Sequence, residues 1–200
     1  MKITKFLLGV IAFFAFFLPQ GSCALEKNDK ILIAYFSQTN NTERLAEDLI
    51  KGLTDYDVTL TEIVSVDPYS ENMEKMSPRV KSEQENNTLI PIALSNYVSD
   101  LNDFDAVLIG TPIWFNHAPA PIKSFLNAYP VKTEQKLGVF ITSGTSEPDV
   151  ILSDIEKYST HKVCNTVPVT KAEWFAAKNT QNSLTTSTPC NLRKVRRKHA

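Results

Sequence analysis

Glycine is scarce, with six residues in a chain of 200. None lies between Ser37 and Thr42, and neither does any lysine, so that loop is no Walker-type cradle for a triphosphate and magnesium. No glycine fingerprint for a nicotinamide cofactor is visible either. Cysteine is equally sparse, at three. His117, His161 and His199 are scattered, so no Cys or His cluster has metal-ligand spacing. Solvated side chains are the plain reading for those histidines. Ser37 and Ser143 have no His/Asp partner in the local pattern, which argues against hydrolase chemistry. Net charge is also small, at −1. That balance hides an acidic body: without Lys2, Lys5 and the five basic residues of the last ten positions, 14 basic residues face 22 acidic ones. An acidic body of about −8 argues against nucleic acid as the partner.

The two ends read as something other than fold. Lys2 and Lys5 precede an apolar run from Phe6 to Leu18, too short to span a membrane comfortably. Ser22-Cys23-Ala24 sets small residues for cleavage after Ala24. Residues 1–24 are thus expected to be a signal peptide, and the mature protein to be exported to the periplasm, the cell envelope or the medium. Cys23 opens a second fate, a lipid anchor at a modified N-terminus, although Pro19 to Ser22 fits that motif only in part. Cys164 and Cys190 would remain after cleavage; export permits a disulfide, but two cysteines do not specify one. Residues 179–200 are rich in Ser, Thr, Asn and Gln and end in a basic run, the composition of a disordered tail. Asn40-Asn41-Thr42 and Asn86-Asn87-Thr88 match the glycosylation sequon, and the first lies in a loop expected to hold a ligand, which favours a host that does not glycosylate there.

The stretch Ile31 to Leu53 organises the domain between, residues 25–178. Ile31 to Phe36 reads as a buried strand. A polar loop follows, Ser37-Gln38-Thr39-Asn40-Asn41-Thr42. Leu45, Ala46, Leu49, Ile50 and Leu53 then form one face of a helix, and Glu43, Arg44, Glu47, Asp48 and Lys51 the other. Free backbone N–H groups and the helix dipole make such a strand–loop–helix unit an anion site, suited to a phosphate monoester. Ser, Thr and Asn would cap any helix, so the loop alone leaves an ordinary turn open.

Further strands are expected at 58–64, 104–110, 137–141 and 162–169. Helices are expected from Asn72 past Lys75, at Leu94–Leu101, from Pro119 to Tyr129, at Val150–Tyr158 and at Lys171–Lys178. The alternation predicts an α/β fold: a doubly wound, five-stranded parallel sheet with helices on both faces, three layers deep. Loops after the first, third and fourth strands would gather at the carboxyl edge, where open α/β sheets bind ligands. The second of these loops offers the flat faces of Trp114 and Phe115. The third offers Gly144, where a backbone can approach a planar ring closely. A phosphate nest beside an aromatic wall suits a phosphorylated flat heterocycle.

Three patterns in order resemble the flavodoxin family, over roughly Lys30 to Tyr158. Tyr35-Phe36-Ser37-Gln38-Thr39-Asn40-Asn41-Thr42 is similar to its phosphate loop. Gly110-Thr111-Pro112-Ile113-Trp114-Phe115 and Phe140-Ile141-Thr142-Ser143-Gly144-Thr145-Ser146 are similar to its two ring-flanking loops. The resemblance implies a flavodoxin-like fold and non-covalent FMN. Ser37, Gln38, Thr39, Asn40, Asn41 and Thr42 would hold the phosphate. Pro112, Ile113, Trp114, Phe115 and Asn116 would border the isoalloxazine on one side, and Thr142, Ser143, Gly144 and Thr145 on the other. A peptide group around Asn116 would meet the flavin N5. No residue of this chain is required as a catalytic acid, base or nucleophile.

The chain departs from the family where glycine is common, at Asn40, Asn116 and Thr145. Asn tolerates a left-handed backbone, so the turn at Asn40 can survive. The implied function is electron transfer, either as a carrier or as a small reductase of quinone-like acceptors, with a redox protein or a quinone-like molecule as partner. The alternative is an interaction module that kept the scaffold and lost FMN, motivated by the substituted glycines and by export to a compartment where flavin supply is uncertain.

Overall fold

The computed structural model describes residues 25–144 and 149–170. The expected signal peptide, the segment Lys171–Lys178, the basic tail and Thr145 lie outside the described residues.

Among the described residues, six strands form one sheet in the order β3-β2-β1-β4-β5-β6: β1 (Lys30–Tyr35), β2 (Asp57–Ser65), β3 (Ile92–Leu94), β4 (Ala106–Pro112), β5 (Lys136–Ser143) and β6 (Asn165–Thr170). All pair in parallel except β3, which runs antiparallel to β2. The five expected parallel strands are thus present, and a three-residue edge strand is added. The helices are α1 (Asn41–Ile50), α2 (Met73–Glu85), α3 (Ala120–Ala128) and α4 (Asp149–Ser159).

Period-two alternation in β1 assigns the two faces of the sheet. Ile31, Ile33 and Tyr35 pack with Leu45, Ala46 and Leu49 of α1 and with Phe140. Leu32, Ala34 and Phe36 pack on the opposite face with Met76 and Val80 of α2, Ile122, Phe125 and Leu126 of α3, and Ile151 and Ile155 of α4. Every residue of β4 from Ala106 to Thr111 is buried, as a central strand covered on both faces requires.

The expected helix at Leu94–Leu101 does not form. Leu94 belongs to β3, opposite Ile63. Beyond it, the N–H of Ser95 donates to the Glu62 carbonyl at 3.0 Å. Asn96 donates through Nδ2 to the Leu60 carbonyl at 2.6 Å and through its N–H to Thr61 at 3.3 Å. Groups that a helix would have paired locally are taken by the neighbouring strand, which overrides propensity. The other expected helix of that region is longer than its start suggested. It is α2, thirteen residues, capped by Asn72, whose side chain accepts from the N–H groups of Glu74 and Lys75, and it carries Pro78 within it.

Candidate functional site

The strand order reverses between β1 and β4, which makes their carboxyl ends the switch point of the sheet. The loops after β1, β4 and β5 meet there around a crevice of about 590 Å³.

At one end lies the first loop. Asn40 stands at φ 59°, ψ 9°, and no side chain caps α1. The first bond within the helix is from Arg44 N–H to the Asn40 carbonyl at 3.1 Å, so the amides of its first turn are left for the crevice. Asparagine reaches the left-handed conformation because its short polar side chain bears the cost that a branched one cannot. Ser37 Oγ is buried and has no hydrogen-bond partner among the described residues. A buried donor without an acceptor is costly, and an anion in this loop is the kind of group that would satisfy it. Thr39 Oγ1 accepts from Asn41 Nδ2 at 3.0 Å. Thr42, 1% exposed, shares a 2.8 Å hydrogen bond with Thr142 of β5.

The other end is aromatic. Trp114 meets Phe36 and Tyr69 edge-on, with centroids 5.2 and 4.9 Å apart. Below it, Tyr69 donates from its hydroxyl to Glu83 at 2.6 Å, and the Arg79 guanidinium covers the Tyr69 ring at 4.1 Å while binding Glu83 at 2.7 Å. Burial, then the bond to Glu83, pushes the Tyr69 phenol well above its ordinary range.

Past Trp114 the chain makes a tight turn. The amides and carbonyls of Trp114 and His117 exchange hydrogen bonds at 3.0 Å, and Phe115 and Asn116 between them both have positive φ, 47° and 64°. Two left-handed central residues mark the mirror-image turn that glycine and asparagine favour. Neighbours clamp it on both sides. Gln84 of α2 donates to the Trp114 carbonyl at 2.7 Å. Asp154 of α4 accepts from the Ala118 N–H at 3.1 Å, lies 3.0 Å from His117 Nδ1, and pairs at 3.5 Å with the buried Lys123.

Eleven of the residues expected from sequence line this crevice: Gln38, Thr39, Asn40, Asn41, Thr42, Pro112, Ile113, Trp114, Thr142, Ser143 and Gly144. Ser37 is half-buried at the base of the first loop, with its Oγ out of solvent. Phe115 and Asn116 are exposed on the turn beside the crevice and do not line it. The lining also includes Arg44, Ser70, Glu71, Met73 and Met76, none of them expected. Arg44 belongs to the polar face of α1, yet its first-turn position brings it to the mouth. Ser70 and Glu71 come from the β2–α2 connection, whose polar sequence offers no periodic signal, and Met73 and Met76 from the first turn of α2.

The solved structures agree with this architecture. A flavoprotein from Lactobacillus acidophilus NCFM, in complex with FMN, is 25% identical over 70% of this chain and 93% of its own, with a TM-score of 0.60. A putative flavoprotein from Bacteroides uniformis is also 25% identical, over 78% of this chain and 99% of its own, at 0.60. One from Bacteroides eggerthii, at 24% identity and 0.59, shares the fold. No curated protein matches. The FMN complex supports FMN as the group that such a crevice takes. The flavodoxin family model matches residues 30–188, most of the chain, and the protein belongs to the flavodoxin family.

Proposed function

We propose that this chain is an FMN-dependent redox protein that works outside the cytoplasm, as an electron carrier or as a small reductase of quinone-like acceptors. The observation that carries it is the meeting of a donor-rich, anion-seeking loop and an aromatic wall in one crevice at the switch point of the sheet. The uncapped start of α1, the unpartnered Ser37 hydroxyl and the hydroxyls of Thr39 and Thr42 would hold the phosphate. Trp114, Pro112 and Ile113 would border the ring on one side, and Ser143 and Gly144 on the other. A Cβ added at Gly144 would meet nothing within 4 Å, so the backbone there presents an open approach. Bound FMN would supply reversible one- and two-electron chemistry. These residues would bind it and orient it against Trp114.

The apolar leader motivates export, and Cys23 a lipid anchor. Cys164, just before β6, is disulfide-bonded, which suits an oxidising compartment. The missing nicotinamide fingerprint favours the carrier over the reductase.

Replacing Thr39 and Thr42 together by Ala should weaken FMN binding by about tenfold or more, because two neutral donors to a charged group are removed. Unchanged flavin content would remove the first loop from the site. Turnover with NAD(P)H and a quinone, without a partner reductase, would decide for the reductase; none would decide for the carrier.

A further inference from the structure

Thr142 ties all three loops together. Its Oγ1 lies 2.8 Å from Oγ1 of Thr42, in the first turn of α1. Its carbonyl accepts the N–H of Ile113, at the start of the second loop, at 3.1 Å. It stands one position before the end of β5, opposite Pro112 of β4, and lines the crevice. We propose that Thr142 is a positioning residue that completes the phosphate site through Thr42, and so links phosphate binding to the loops at the ring end. The inference rests on the FMN reading above and gives Thr142 a task other than bordering the ring.

The number of protons on the two hydroxyls decides the direction of these bonds. Each threonine hydroxyl donates one hydrogen bond and accepts others. The 2.8 Å bond can run in either direction while nothing else competes. A phosphate only accepts. Once it sits at the start of α1, the Thr42 proton turns to it, and the bond to Thr142 must then be donated by Thr142. Thr142 to Thr42 to phosphate becomes a chain of one sense, in which each bond polarises the next. Thr42 is 1% exposed, so its hydroxyl has little bulk water to turn to in place of Thr142. The Thr142 carbonyl is fixed on Ile113, so the residue that closes the phosphate end also sets the start of the second loop.

The test compares two flavins that differ by the phosphate. Full-length wild type, Thr142→Val and Thr142→Ser are titrated with FMN and with riboflavin by quenching of flavin fluorescence. Valine keeps the β-branch and the strand preference; serine restores the hydroxyl. Thr142→Val should bind FMN about tenfold more weakly, with riboflavin affinity nearly unchanged, and Thr142→Ser should recover most of the loss. Inorganic phosphate should compete with FMN less well in the valine variant than in wild type. Equal losses for both flavins would reduce Thr142 to a residue that shapes the ring pocket and overturn the relay. No loss for either would overturn it too. The wild-type titration separates the two levels of the argument: if wild type itself bound no FMN, the reading beneath would fall, and the relay with it.

Discussion

The two ends of the crevice are built by opposite means. The end proposed for the phosphate is largely local: one strand, one loop and one helix supply its backbone amides and short hydroxyls within Ile31 to Ile50, and Thr142 of β5 reaches it through Thr42. The ring end is assembled from distant parts. Trp114 rests on Phe36 and Tyr69, its carbonyl is held by Gln84 of α2, and the turn after it is held by Asp154 of α4. A local anion site can be specified by a short pattern, because helix geometry does the aiming. A planar wall needs side chains fixed from several directions, so its geometry is only as good as the packing behind it.

That contrast can be broken most forcefully at Asp154. Its carboxylate holds the Ala118 amide and is paired with Lys123, whose side chain is only 4% exposed. Asp154→Ala would leave a buried ammonium without its partner and release the turn. A loss of about 3 kcal/mol in urea unfolding is expected, with weaker FMN binding and an unchanged response to inorganic phosphate. Equal damage to both ends would show that they are not separable.

Trp114→Ala is next. It removes a half-buried ring with two edge contacts, for about 2 kcal/mol of stability. FMN and riboflavin should both bind roughly tenfold more weakly, since the change concerns the ring and not the phosphate. A loss confined to FMN would place Trp114 at the wrong end.

The smallest effect sharpens the comparison through pH. Tyr35, at the end of β1 beneath α1, is buried, and burial followed by the charges of Glu62, Glu43 and Glu47 pushes its phenol from an ordinary 10.0 up to about 12. The folded state therefore favours the neutral phenol. That contribution is complete below pH 10 and is lost as pH rises through about 12. Stability to urea should fall over this range, and Tyr35→Phe should flatten the fall in part. Tyr56 and Tyr69, raised as well, would carry the rest. An unaltered alkaline profile in Tyr35→Phe would leave Tyr56 and Tyr69 as the source.

Much of this fold is legible in the sequence, for reasons that differ by element. The unit from β1 to α1 is readable because its apolar spacing switches cleanly from a strand run to a helical stripe at a polar loop. β4 is readable because it is covered on both faces. Pattern fails where structure depends on neighbours. β3 has three residues and exists because β2 has an edge to offer, so Leu94 to Leu101 reads as a helix in isolation. Ser70 and Glu71 reach the crevice from the β2–α2 connection, which no periodicity announces, and Met73 and Met76 reach it from the first turn of α2. Arg44 lay in plain view on the polar side of α1, and its first-turn position was the available signal. The left-handed pair at Phe115 and Asn116 shows only a hint in sequence, an asparagine after two aromatics. In the fold, its strain is balanced by the bonds between Trp114 and His117 and the clamp from Asp154.

The central claim is that this crevice takes FMN, phosphate at α1 and ring against Trp114. Titration of the purified protein with FMN, read by flavin fluorescence and visible absorption, tests it most directly. The account predicts quenching that saturates at one FMN per chain, with shifted flavin bands and an affinity clearly above that for riboflavin. Absence of saturable binding at high FMN would contradict it and leave a flavodoxin-shaped scaffold whose work is done through its surface.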